Sequence, residues 1–145
     1  MIRIRVGVIL VKDGKILLIK HSKGKKSYWL LPGGGVKFGE TLTQCACREL
    51  MEETNLEIKL CNLLYIIESI SKNEKKHIIN LIFNGEITGG TPVLGQEKRL
   101  SELKFVSLED LNNLILYPPI NSIIIKLIES GFTTPEQIYL GPMWS

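Results

Sequence analysis

Gly33-Gly34-Gly35-Val36-Lys37-Phe38-Gly39-Glu40-Thr41-Leu42-Thr43-Gln44-Cys45-Ala46-Cys47-Arg48-Glu49-Leu50-Met51-Glu52-Glu53-Thr54-Asn55-Leu56 is a glycine turn that leads into an acid-rich helix. Thr41 is placed as N-cap with Gln44 three residues on, the capping-box spacing, and Glu40 puts negative charge beside the positive end of the helix dipole. Leu42, Cys45, Ala46 and Leu50 recur at intervals of three and four, so one apolar stripe can lie on a sheet. Asn55 suits a left-handed stop, which bounds a helix of about 13 to 14 residues. At 100° per residue, Glu49, Glu52 and Glu53 fall within an arc of about 100°. Each like-charged pair costs roughly 0.2–0.5 kcal/mol, and the negative helix end adds a similar penalty. Arg48 alone cannot neutralise three acids. A hard divalent cation such as magnesium can, because it takes oxygen ligands and bridges carboxylates to phosphates.

An acid-rich helix end taken alone is more often a solvated surface. The whole pattern argues otherwise. From Gly34, five residues lead to Glu40 and seven more to Arg48-Glu49; an aliphatic residue, one further residue, Glu52-Glu53, one more residue and Asn55-Leu56 follow. This resembles the Nudix hydrolase signature over 23 of 145 residues, with Asn55 in place of the last glycine. Asn also enters the left-handed region, so the departure is mild. Trp29, Pro32, Gly33 and Gly34 match the family's residues ahead of the helix.

The resemblance implies an α/β/α sandwich around a mixed β-sheet, with the box as a loop-helix-loop motif. It implies hydrolysis of a nucleoside diphosphate linked to another moiety, with Mg2+ or Mn2+ as cofactor. Glu49 and Glu53, one turn apart, are the best-placed direct metal ligands. Glu52 matches the third box acid, as metal ligand, water ligand or base. A carbonyl of the glycine turn, taken as that of Gly33, joins the metal shell. Arg48 is read as structural or electrostatic, steadying Glu49 and, as a further candidate, Glu40. An acid from the later loop completes the site in many members, and Glu97 and Glu102 are both candidates. Tyr28, Phe38, Phe83 and Tyr139 are base-stacking candidates by residue type. ADP-ribose, an oxidised nucleoside triphosphate, a dinucleoside polyphosphate and a nucleotide sugar all remain compatible. A nucleotide-sensing module that binds without cleaving is the alternative.

Composition bounds these readings. A chain of 145 residues with 44% apolar and 23% charged residues fits one globular domain, residues 1–145. No apolar run approaches the roughly 18 residues of a membrane span, and the N-terminus alternates instead of forming a signal core. Three cysteines, Cys45, Cys47 and Cys61, are an odd number, and the first two face different ways on the helix. Reduced thiols and a cytoplasmic location are therefore expected. The net charge of +3 is modest, with lysines gathered at 20–26 and 72–76. Solvated loop tips explain these clusters most simply, and a phosphate-rich small-molecule substrate is the sharper alternative. No recognisable nucleic-acid motif appears, so neither nucleic acid nor membrane is expected as a partner.

Along the chain, Arg3 to Lys12 reads as one central strand and Lys12-Asp13-Gly14-Lys15 as a hairpin turn. Ile16 to Lys20 is the return strand, followed by a loop from His21 to Ser27. Leu56 to Leu60, Leu63 to Ile70, His77 to Glu86 and Leu103 to Val106 read as strands. Ser107 caps a short helix, and Ile120 to Ser130 forms the last one, stopped by Gly131. The tail carries Tyr139, Met143 and Trp144, read as packing residues and as a means of closing a homodimer. His21 and His77 are given no role, since a lone histidine at a loop edge is more often a surface or capping residue.

Overall fold

Val6, Val8 and Leu10 are fully buried against one apolar cluster and Ile9 against another, which is why this stretch is aliphatic without alternation. Leu17 and its neighbours Ile16 and Leu18 divide in the same way. The computed structural model describes residues 1–133 and 135–144, and the side chain of Trp144 lies outside the described ones.

Strand β1 (Ile2–Ile9) pairs in parallel with β7 (His77–Gly89), and β7 pairs antiparallel with β6 (Glu57–Ile70). With β5 (Gly33–Gly35) and β9 (Tyr139–Trp144) they make a mixed sheet in the order β5-β1-β7-β6-β9. A second sheet joins β2 (Val11–Lys12), β3 (Lys15–Lys23), β4 (Lys26–Leu30) and β8 (Leu100–Ser107) around β3. Helix α1 (Leu42–Thr54) covers one cluster through Cys45, Ala46 and Leu50. The short α2 (Leu108–Leu111) and α3 (Asn121–Glu129) cover the other through Leu111, Ile124 and Leu127. The mixed sheet with helices on its two sides is the α/β/α arrangement expected.

Four local readings change. The expected first strand is divided at Leu10, where the chain leaves one sheet for the other, and an unbroken apolar run carries no signal of that step. The expected His21–Ser27 loop is a hairpin instead, with Lys23 opposite Lys26 and Gly24 at φ 61°. A positive φ at the first turn position closes a two-residue hairpin of the II′ kind, whatever the polarity of its strands. The two strands expected between Leu56 and Ile70 are one, β6, with register shifts around Leu63. The tail forms an edge strand, β9, parallel to β6, and Tyr139 donates to Glu68 at 2.7 Å.

Helix α1 starts and stops where its sequence indicates. Thr41 accepts from the Gln44 amide and the Gln44 side chain accepts from the Thr41 amide, while Asn55 sits at φ 61°. Glycine at position 33 is required by a close approach. It lies at φ 153°, and a Cβ there would run into the Val6 carbonyl oxygen of β1. Gly33→Ala is therefore expected to cost roughly 3 kcal/mol, the upper range for overpacking. Gly35→Ala, whose added carbon meets only the end of Arg3 at 3.1 Å, should cost far less. Urea midpoints of the two variants check this, and equal loss would refute it.

Candidate active site

The C-terminal turn of α1 lies beside the glycine turn, and the two are tied by a side chain. The Gly33 amide donates to Glu53 Oε1 at 2.8 Å, with Glu53 only 5% exposed. Glu49 occupies the neighbouring space, so that a Cβ on Gly34 would collide with its carboxyl group. The carbonyls of Glu53 and Thr54 at the helix end accept from the amides of Gly95 and Val93 at 2.9 Å. That loop satisfies the end of α1 and carries Glu97 towards the same region.

Arg48 collects the other acids. It makes a bidentate pair with Glu40, at 2.7 and 3.0 Å, and donates to Glu49 Oε1 at 2.7 Å and to the Gly35 carbonyl at 3.2 Å. Its contact with Glu52 is longer, 3.4 Å. The Arg48 hydrogen bond is the main cause holding Glu40 down at about 2, and the Glu40 bond is in turn the main one raising Arg48. Glu49 is thus held at the glycine turn by one positive partner. Glu52 faces solvent, its side chain 58% exposed.

Two residues not singled out from the sequence stand beside Glu53. His21 Nε2 is buried, has no hydrogen-bond partner among the described residues and lies 3.9 Å from Glu53 Oε2. Burial, then the charges of Arg5 and Arg99, push this histidine down to about 4, so it is neutral at pH 7. Arg5 on β1 donates to the Leu31 carbonyl at 3.1 Å and feels the charges of Glu53 and Glu49. Neither follows a spacing rule, because β3 and β1 bring them in from other parts of the chain. His77, the other histidine, pairs with Glu68 at 2.7 Å on the surface side of β6 and β7.

The remaining candidates separate. Glu97 acts electrostatically on Glu53 and His21, and is paired with Arg99 at 2.8 Å. Glu102 is exposed on β8 opposite Lys20. Tyr28 stacks on His21 with ring centres 5.9 Å apart and meets Tyr117 at 5.0 Å. Phe38 is fully exposed on the turn before α1, and Phe83 packs in the cluster under that helix. Cys45, Cys47 and Cys61 are free thiols.

The donors around Glu53 and Glu49 are hard oxygens, with a neutral, unpartnered imidazole nitrogen beside them. Among the described residues no group of three or more His, Cys, Asp or Glu side chains is placed to hold a metal ion, and Glu52, expected to converge with Glu49 and Glu53, faces solvent. Two carboxylates would hold a magnesium-type ion only where substrate phosphates and waters complete its shell.

Burial is the chief cause raising Glu53 to about 7, opposed by the Gly33 hydrogen bond and by Arg5. The folded protein holds this proton more tightly than the unfolded chain, so the stability it contributes is present below about pH 4.5 and is lost as pH rises to about 7. The loss is on the order of 3 kcal/mol. In metal-free protein, Glu53→Gln should remove this component and flatten the fall in melting temperature between pH 5 and pH 8. An unchanged pH profile in that variant would refute the assignment.

The NUDIX domain family model matches residues 1–128. Over 112 residues the chain is 37% identical to an ADP-ribose pyrophosphatase of Methanocaldococcus jannaschii, covering 77% of this chain and 63% of that protein. It is 31% identical over 128 residues to an RNA pyrophosphohydrolase of Pelagibacter ubique, covering 75% of this chain and 78% of that one. A solved NUDIX hydrolase from Nitrosomonas europaea superimposes with a TM-score of 0.79, covering 94% of each chain at 19% identity, which speaks to the fold alone. No helix among the described residues is long and apolar enough to cross a membrane. With its acid-rich helix packed on the glycine turn and a family match running through most of its length, this chain belongs to the NUDIX domain family.

Proposed function

We propose that the chain hydrolyses a diphosphate linkage in a nucleoside diphosphate joined to another group, with a divalent cation at Glu49 and Glu53. The observation that carries this reading is the Glu53 carboxylate held on the Gly33 amide beside Glu49, with the unpartnered His21 nitrogen 3.9 Å away. The names of two relatives, a pyrophosphatase and a pyrophosphohydrolase, support the same bond as the target.

Magnesium or manganese, when bound, supplies Lewis-acid neutralisation of the non-bridging diphosphate oxygens. Glu49 and Glu53 would hold it, with the Gly33 carbonyl and Glu52 as further donors. Arg48 keeps Glu49 in place and carries the charge of Glu40 away from the ion. Arg5, partly buried beside Glu53, offers positive charge to a substrate phosphate. Among the described residues no cysteine or serine is hydrogen-bonded to a histidine, so in this reading water attacks phosphorus. One oxygen–phosphorus bond forms, the bridging bond breaks, and the electron pair leaves with the departing phosphate. A box glutamate accepts the water's proton. Glu53 has an affinity near the working pH, and Glu52 is open to solvent. His21, neutral and unpartnered, can hold that water by a hydrogen bond.

The test is a product assay with magnesium and with manganese over ADP-ribose, nucleoside triphosphates, dinucleoside polyphosphates and nucleotide sugars. Turnover of at least one compound is expected, and Glu53→Gln or Glu49→Gln should lower it on the order of 10²- to 10⁴-fold. Wild-type rates in either variant would overturn its ligand assignment. Thermal stabilisation by a nucleotide without any product would instead assign a sensing module.

A further inference from the structure

The β3–β4 hairpin carries Lys23, Lys25 and Lys26 around its turn, and the β6–β7 connection carries Lys75 and Lys76. Folding sets these two groups, distant in sequence, around one cleft of about 1280 Å³ that Arg5 also lines. Among the described residues no Asp or Glu lines this cleft, and none of the six cations is in an ion pair. A second depression, about 520 Å³ between β2 and β7, holds none of these groups. Two residues of the cleft wall adjoin the box: Arg5, which feels Glu53 and Glu49, and Tyr28, which stacks on His21 beside Glu53.

Charge and size both exceed what a diphosphate needs. A diphosphate diester carries one negative charge per phosphate, fewer than the six cations around the cleft. Pockets for compact ligands are roughly 300–1,000 Å³, smaller than this one. The positive charge also extends outward, since Gly24 lies three positions beyond His21, roughly 10 Å at the usual strand rise. Solvated lysines on separate loop tips would have no reason to face one another across a common space free of acids.

We infer that this cleft binds a substrate whose phosphates continue as a chain beyond the bond to be cleaved, with Tyr28 and Tyr117 offering aromatic faces to a base. The inference rests on the hydrolase reading for the bond that is cut. The chain is either a compact polyphosphate or the phosphodiester backbone of a short single strand, and both present the same anionic oxygens to the lysines.

The test measures binding of adenosine tetraphosphate, a 5′-triphosphorylated trinucleotide and ADP-ribose across a salt series, with kcat/KM for each in magnesium. At low salt at least one phosphate chain should bind about tenfold or more tightly than ADP-ribose and lose affinity more steeply as salt rises. Preference for the tetraphosphate marks the polyphosphate source, and preference for the trinucleotide marks the phosphodiester one. The double variant Lys25→Ala, Lys76→Ala should lower the log–log salt slope by about 1.4, at roughly 0.7 per phosphate contact. It should also cut kcat/KM for the preferred chain about tenfold more than for ADP-ribose. Equal affinity and equal slope for all three probes, or an unaltered slope in the double variant, would overturn the inference. Hydrolysis of ADP-ribose with no preference for a phosphate chain sinks the cleft assignment alone. Chain-selective binding without hydrolysis of any probe supports the cleft and sinks the hydrolase reading.

Discussion

One buried hydrogen bond pins the end of the acid-rich helix to the glycine turn: the Gly33 amide donates to the carboxylate of Glu53. A buried carboxylate is costly unless its charge is met, and among the described residues Glu53 has one hydrogen bond to its carboxylate, the field of Arg5 and a histidine at 3.9 Å. The bond forms only because residue 33 lacks a side chain and can lie against the Val6 carbonyl. The position of α1, the exposure of Glu52 and the space beside His21 all follow from where this contact fixes the end of the helix.

Around that contact the chain separates acids by giving them different partners. Glu40 and Glu49 share Arg48, Glu97 has Arg99, Glu52 has water, and Glu53 has the glycine amide. A site for a divalent ion needs some carboxylates held in place and others not already neutralised. In the proposed function Arg48 would perform the first task at Glu49, and the poorly compensated Glu53 would meet the second. The loop at 93–95 adds rigidity by satisfying the carbonyls at the negative end of α1, where acids would otherwise repel the helix dipole.

β1 and β3 bury side chains on both faces, and this double-sided core carries Arg5, in the middle of β1, and His21, towards the end of β3, to the region of Glu53. The same geometry places the β3–β4 and β6–β7 turns opposite one another. Their lysines become a single charged surface through topology and not through any local preference.

The sequence by itself determined α1, because capping at Thr41 and the left-handed stop at Asn55 are local events that need no partner. It also determined the mixed sheet with helices on two sides, through the apolar pattern and the box signature, and it placed Glu49 and Glu53 in register on one helix. Only the tertiary structure decided that Glu53 is buried while Glu52 faces water, since a helical angle fixes direction but not what lies in that direction. It set the two later acids apart, with Glu97 near enough to act electrostatically on Glu53 and Glu102 exposed on β8. It moved His21 from an expected loop edge to a buried place beside the box, and it turned the tail into an edge strand. Strand partners and loop docking are set by contacts between distant segments, and no window of neighbouring residues records them.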